Sequence, residues 1–238
     1  TASDRKSEQN SSPRRIDPLR GHGVSALLVR ETPLFIDGPV GQLEALYLDV
    51  ADARGAVLIC HPNPVQGGTM LNKVVSTLQR TARDAGYVTL RFNYRGVGQS
   101  AGSHDMGAGE VADAEAAAAW LREKHPALPL VLMGFSFGGF VATSLAGRLE
   151  SAGVALQHLF MIAPAVMRLS GAFPLPQRCP ITVVQPDADE VVAPQLVYDW
   201  SDALSRPHEL LKVAECGHFF HGKPVSYTHL TLPTKRIV

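Results

Sequence analysis

The sequence predicts an α/β fold: a mainly parallel β-sheet with helices on both faces. Three observations predict it. Short apolar runs such as Gly55–Cys60 and Pro129–Met133 alternate along the chain with longer segments of helical period. The runs are solidly apolar rather than alternating, as strands buried on both faces require. Finally, Gly134-Phe135-Ser136-Phe137-Gly138-Gly139 stands between one such run and a helical segment, where a tight turn must convert strand into helix.

The elements follow in order. Thr1 to Arg20 is rich in Ser, Arg, Asp and Pro without an apolar period, so residues 1–28 read as a disordered or non-native extension. The folded domain is expected over residues 29–224. Leu34-Phe35-Ile36 and Leu43–Val50 are strand-like and separated by the turn signal Asp37-Gly38-Pro39, which suggests an antiparallel pair at one sheet edge. Gly55–Cys60 is a buried strand. It runs into His61-Pro62-Asn63-Pro64-Val65-Gln66-Gly67-Gly68, a loop whose prolines keep it from becoming a helix. Thr69–Ala85 reads as a helix closed by Gly86. Tyr87–Phe92 is the next strand, followed by the turn-rich loop Asn93–Ser100. Glu110–Lys124 is an alanine-rich helix ended near Pro126. After the Pro129–Met133 strand and the Phe140–Leu149 helix come strands at His158–Ala163 and Ile181–Gln185, a helix at Pro194–Leu204 and a last strand at Glu209–Val213.

Bulk properties narrow the function. With 238 residues, one domain with a sizeable core is the default. The charge is balanced, 22 basic against 22 acidic residues, which argues against nucleic acid or an anionic membrane as partner. The apolar runs are far too short to span a bilayer, and no signal-peptide core is present. Cys60, Cys179 and Cys216 are odd in number and widely spaced, which favours free thiols in a reducing cytoplasm over a disulfide.

The chemistry centres on Ser136. A serine flanked by glycines at a strand-to-helix turn is a nucleophile elbow pattern, G-x-S-x-G. The turn strains the serine backbone, and the following helix aims free N–H groups at whatever charge develops beside the hydroxyl. A serine nucleophile needs a base, and the base needs an orienting acid. The loop after Ile181–Gln185 carries Asp187, Asp189 and Glu190, and the loop after the last strand carries His218. Serine, acid, histidine is the order expected for an elbow nucleophile on such a sheet. Asp189 is the chosen acid, with Asp187 and Glu190 as rivals. His218 is the chosen base, against His221, His61 and His104. His104-Asp105 precedes the elbow in a Gly/Ser-rich loop and is not assigned to the relay. The acidic cluster lacks the Gly-centred ligand loop of a Ca²⁺ site, so no metal is expected. Cys216 reads as a packing thiol.

An acyl-transfer oxyanion needs two N–H donors. Phe137, directly after the nucleophile, supplies one. Pro62 and Pro64 have none, which leaves Asn63 or Val65 in the earlier loop; Asn63 is favoured, with His61 holding the loop. The stretch Ala172-Phe173-Pro174-Leu175-Pro176 is too short for a large lid, so the site is expected to be open and lined by Phe137, Phe173 and Phe219.

Taken as a set, several segments resemble the α/β-hydrolase superfamily, and within it a bacterial group of small, lidless serine hydrolases. They are Cys60-His61-Pro62-Asn63-Pro64 with Gly67-Gly68-Thr69-Met70 and Asn72-Lys73-Val74-Val75, Leu90–Gly98, Gly134–Gly138, Asp187-Ala188-Asp189-Glu190-Val191-Val192 and Gly217-His218-Phe219-Phe220-His221. The resemblance covers about Arg30 to Lys223. It implies an eight-stranded hydrolase sheet and a Ser136–Asp189–His218 triad, with no cofactor. It also implies a closing helix after the histidine loop. Val225–Lys235 has no helical period and contains Pro233; residues 225–238 resemble the translation of a sequencing adapter, so that helix is expected to be missing. The function expected is cleavage of a small acyl ester or thioester through a Ser136 acyl-enzyme. A peptidase or amidase is the alternative within the same chemistry. A catalytically silent binding protein on the same scaffold is the alternative from another class.

Overall fold

A computed structural model of the chain describes residues 30–169 and 171–222. The expectations for residues 1–28 and 225–238, the missing closing helix included, lie outside the described residues. Eight strands form one sheet: β1 (Thr32–Gly38), β2 (Gly41–Leu48), β3 (Ala56–Cys60), β4 (Val88–Phe92), β5 (Leu130–Phe135), β6 (Leu156–Ile162), β7 (Ile181–Pro186) and β8 (Glu209–Val213). Their order across the sheet is β1-β2-β4-β3-β5-β6-β7-β8. β1 and β2 form the expected antiparallel edge pair, and β2 also meets β4 antiparallel. Every other pairing is parallel. Among the described residues, four α-helices lie between the strands: α1 (Lys73–Asp84), α2 (Ala108–Lys124), α3 (Phe137–Ser151) and α4 (Pro194–Asp202).

The solid apolar runs are explained by the pleat. Successive side chains on a strand point to opposite faces, so a strand covered on both sides needs apolar residues throughout. In β3, Leu58 and Cys60 join the core packed against α2 and α3, whereas Val57 and Ile59 join the core beneath α1. β5 divides likewise, with Leu130 and Leu132 on one side and Val131, Met133 and Phe135 on the other. Each such fully buried aliphatic side chain contributes roughly 1.5–3 kcal/mol.

Three helices start elsewhere than the pattern suggests, α2 by two residues, at Ala108 rather than Glu110. α1 begins at Lys73 rather than Thr69, because Asn72 caps it by accepting the Val74 N–H at 2.8 Å. The Met70 N–H is already held by Asn93 Oδ1 at 2.9 Å, which fixes the preceding residues as a loop. α3 begins at Phe137, directly after Ser136, so the elbow has no spacer between nucleophile and helix. The proline-rich loop after β3 forms only a three-residue 3₁₀ turn, Pro64–Gln66. The loops following β3, β4, β5, β6, β7 and β8 all open at the carboxyl edge of the parallel strands, where open α/β sheets hold their ligands. Among the described residues, no helix is long and apolar enough to cross a membrane.

Candidate active site

Ser136 sits between β5 and α3 with φ 57° and ψ −116°, a conformation that L-residues adopt only when their surroundings impose it. The surroundings are specific. Its N–H donates to Ile162 O at 2.9 Å, and its carbonyl accepts the N–H groups of Gly139 and Ala165. The motif glycines answer to close approach. A Cβ on Gly134 would lie 2.0 Å from Gly138 O, and one on Gly138 would lie 2.2 Å from Cys60 O. The first turn of α3 therefore rests directly on the end of β3.

The structure brings Ser136, Asp189 and His218 together from three separate loops. Ser136 Oγ is 3.0 Å from His218 Nε2, and His218 Nδ1 is 2.8 Å from Asp189 Oδ2. All three residues are buried. The His218 ring packs in a cluster with Phe135, at 5.0 Å and tilted, and Phe219, at 5.1 Å and near perpendicular. Asp189 Oδ1 accepts the Val191 and Val192 N–H groups at 2.8 and 2.7 Å. Gln185 Nε2 donates to Asp189 Oδ2 at 3.1 Å. Burial pushes the Asp189 carboxyl up, but the bonds from His218, Val192 and Val191 outweigh it and hold the group below the ordinary carboxylate value. A hydroxyl against an imidazole that is itself anchored to a carboxylate is arranged to give up its proton.

The rivals are placed elsewhere. Glu190 faces the backbone of the histidine, its Oε2 accepting the His218 N–H at 3.1 Å. The Asp187 N–H donates to Val213 O, which ties the start of the acid loop to the end of β8. His61 is buried, with Nδ1 2.7 Å from Pro62 O and Nε2 accepting the Tyr94 N–H at 3.3 Å. Burial lowers its pKa to about 3, so it is a neutral strut for its loop. His104 Nδ1 lies 2.6 Å from Glu110 Oε1 rather than against Asp105. His221 packs at a tilt against Phe219 at 6.0 Å. The three cysteines are buried free thiols; burial raises those of Cys60 and Cys179 to about 12. Among the described residues, no group of His, Cys, Asp and Glu could hold a metal ion.

Of the two loop donors left open by the prolines, the Val65 N–H is taken by Asn63 Oδ1 at 3.0 Å. The Asn63 N–H has no partner among the described residues. Phe137 is the first residue of α3, where helix N–H groups lack intrahelical acceptors. Phe219 lies 41% exposed beside His218. Phe173 packs against Phe140 at 6.0 Å, and Phe140 against Phe137 at 5.6 Å, so two rings lie between it and Ser136. Sequence reasoning assigns no role to Gln185 or to the Glu190 clamp. Gln185 leaves a signal there, as the amide within an otherwise apolar strand.

A thioesterase-domain family model matches residues 77–170. An α/β serine hydrolase without a lid from Xanthomonas campestris is 39% identical, with a TM-score of 0.76 over 84% of this chain and 91% of that one. An α/β serine hydrolase homologue from Coxiella burnetii is 35% identical, with a TM-score of 0.77 over 84% and 94% of the two chains. An uncharacterised protein of Rickettsia prowazekii is 34% identical over 205 residues, 82% of this chain and 84% of its own. The chain belongs to the α/β-hydrolase superfamily. In an α/β-hydrolase the elbow between β5 and α3, the acid loop after β7 and the histidine loop after β8 converge at one sheet edge, and the serine–histidine–aspartate contacts lie there. Fold and relatives together support a hydrolase of the esterase type.

Proposed function

We propose that this protein is a serine hydrolase that cleaves a small acyl ester or thioester through a Ser136 acyl-enzyme. The observation that carries the reading is the continuous chain from Ser136 Oγ through His218 to Asp189, on a serine whose backbone is strained to present it. The thioesterase-domain match supports including thioesters among the substrates.

In this mechanism Ser136 Oγ attacks the acyl carbon while His218 Nε2 takes its proton. Asp189 holds the Nδ1 tautomer and stabilises the imidazolium. The developing oxyanion accepts the N–H groups of Phe137 and Asn63, and the positive end of α3 adds to them. The tetrahedral adduct collapses, and His218 protonates the departing oxygen or sulfur. His218 then takes a proton from water, which attacks the acyl-enzyme and releases the acid with Ser136 restored. Phe219 and Phe173 line the approach. No cofactor takes part, and the partner is a small acyl molecule rather than nucleic acid or membrane. Free buried thiols fit a cytoplasmic location.

The test is covalent labelling. A fluorophosphonate should add once, on Ser136, as read by intact mass and peptide mapping. Ser136→Ala should abolish the adduct, and His218→Ala should slow it by at least about a hundredfold, the order expected of a lost general base. A folded sample that takes no label would turn the reading into that of a silent binding protein.

A further inference from the structure

The ring of Phe137 carries two basic residues that the mechanism above does not use. The Arg168 guanidinium carbon lies 5.1 Å from the ring centroid, and the His104 ring meets Phe137 edge-on at 5.8 Å. Arg168 ends the 3₁₀ turn after β6, and His104 lies in the loop between β4 and α2. The two loops are joined over the first residue of α3 by one hydrogen bond, from Arg168 Nη1 to Met106 O at 3.3 Å. Arg168 has no carboxylate partner among the described residues, and its Nε and Nη2 make no hydrogen bond there. His104 Nε2 is likewise buried without a partner. Two exposed apolar side chains flank Arg168: Met106 and Met167 are 65% and 50% exposed. Arg91, Arg95 and Arg148 are matched to acids, Glu31, Asp113 and Glu115, and Arg206 to the carbonyls of Pro176 and Cys179.

The side of the site follows from the packing. Phe135, Cys216 and Phe220, around the His218 loop, belong to the core beneath α1; Phe137 and Phe140 belong to the core beneath α2 and α3. A leaving group must lie toward His218, which protonates it. The Phe137 ring itself is buried, 1% exposed, so it does not line the site as the sequence suggested; the acyl group then extends the other way, toward the Arg168 guanidinium that covers that ring. A guanidinium stacked on an aromatic ring directs its N–H donors along its own plane, where two can grip one carboxylate or phosphate. The partial positive charge at the start of α3 favours an anion in the same place.

We propose that Arg168, with His104 behind it, forms an acyl-side subsite for an anionic group. The substrate class is then an ester or thioester whose acyl chain carries a carboxylate or phosphate a few bonds from the scissile carbonyl. This rests on the Ser136 hydrolase reading and narrows it.

The experiment compares two activated esters of similar length on the full chain: 4-nitrophenyl butyrate, which is neutral, and 4-nitrophenyl hemisuccinate, which ends in a carboxylate. The quantity read is the ratio of kcat/KM for the charged ester to that for the neutral one. Arg168→Ala should lower that ratio about tenfold, the size of a charged hydrogen bond at a half-exposed site. Arg168→Glu should lower it further, and Arg168→Lys should restore part of it, since the charge remains and the fork is lost. In the unmodified protein, KM for the charged ester should rise with ionic strength while that for the neutral ester stays flat, a measurement that needs no variant. A phosphate-ended acyl ester in parallel distinguishes the two anions. An unchanged ratio in Arg168→Ala and Arg168→Glu would overturn the subsite while leaving the hydrolase reading intact. Equal loss on both esters would make Arg168 a purely structural strut and overturn it as well. No turnover of either ester together with no fluorophosphonate adduct would overturn the hydrolase reading itself.

Discussion

At the scale of single residues, the candidate site is a set of polar groups that are each held twice. His218 is fixed through its ring by Asp189 and through its backbone by Glu190, whose Oε2 accepts the His218 N–H at 3.1 Å. That carboxylate oxygen stands only 2.8 Å from where a Cβ on Gly217 would lie, so a glycine before the histidine lets the two loops close on each other. The backbone bond also draws the Glu190 carboxyl below its ordinary pKa. Glu190 thus positions His218 rather than competing with Asp189 for it. Glu190→Ala should lower kcat for an activated ester about tenfold, the scale of one lost hydrogen bond to a charged group. Glu190→Gln keeps an acceptor and should recover most of the rate. Equal losses in the two variants would assign the effect to charge instead of position. The sequence singles out Asp189 as the acid but keeps two neighbours as rivals. Asp189, Glu190 and Asp187 differ by one or two positions, and the fold of one loop decides which carboxylate meets an imidazole twenty-nine residues further on.

Elements set the precision of the site. The elbow was readable because its chemistry is local: a buried strand, glycines where backbones touch, and a helix that starts at once. The neighbouring loop was less so. Its prolines removed two N–H groups from consideration, but the choice between Asn63 and Val65 depended on the Asn63 side chain folding back to take the Val65 N–H. Contact between the elbow and this loop is backbone to backbone: a Cβ on Gly138 would lie 2.2 Å from the Cys60 carbonyl oxygen and 2.7 Å from that of His61. Gly138→Ala should therefore push the Asn63 loop away from Ser136. We expect kcat to fall at least about a hundredfold, as for loss of an oxyanion donor, with unfolding in urea showing a loss of about 1–3 kcal/mol from overpacking. Wild-type turnover in this variant would sink the assignment of the loop to the oxyanion site.

The whole molecule adds an acid sensitivity that belongs to no single element. His61 is buried and its pKa is lowered by burial to about 3; His158, on β6, is lowered by burial to about 4. In the unfolded chain both would bind a proton near pH 6.5. The unfolded state therefore holds more protons between those limits, so stability is complete above about pH 7 and falls as the pH is lowered toward 3. Asp189 and Glu150, whose carboxyls are held below their ordinary values against the opposing effect of burial, lose their contribution at still lower pH, as the folded groups protonate. His61 alone should cost about 2 kcal/mol between pH 7 and pH 5. Urea unfolding at the two pH values measures it, with an NMR titration in which the His61 ring stays neutral to pH 5. A midpoint that does not move, with m unchanged, would count against it.

Strand order in the chain, apolar runs and turn residues determined the sheet, the elbow serine and the serine–acid–histidine succession, because each is written in local periodicity and backbone sterics. They sufficed to place every strand within a few residues. Only the tertiary structure put Asp189, and not its rivals, against the His218 ring, tied up the Val65 N–H with the Asn63 side chain, and brought Arg168 to rest on Phe137. Those outcomes join residues from separate strands across the sheet edge. Hydrogen-bond reach extends over about 3 Å, and no spacing along the chain can specify so short a distance between segments that the fold brings together.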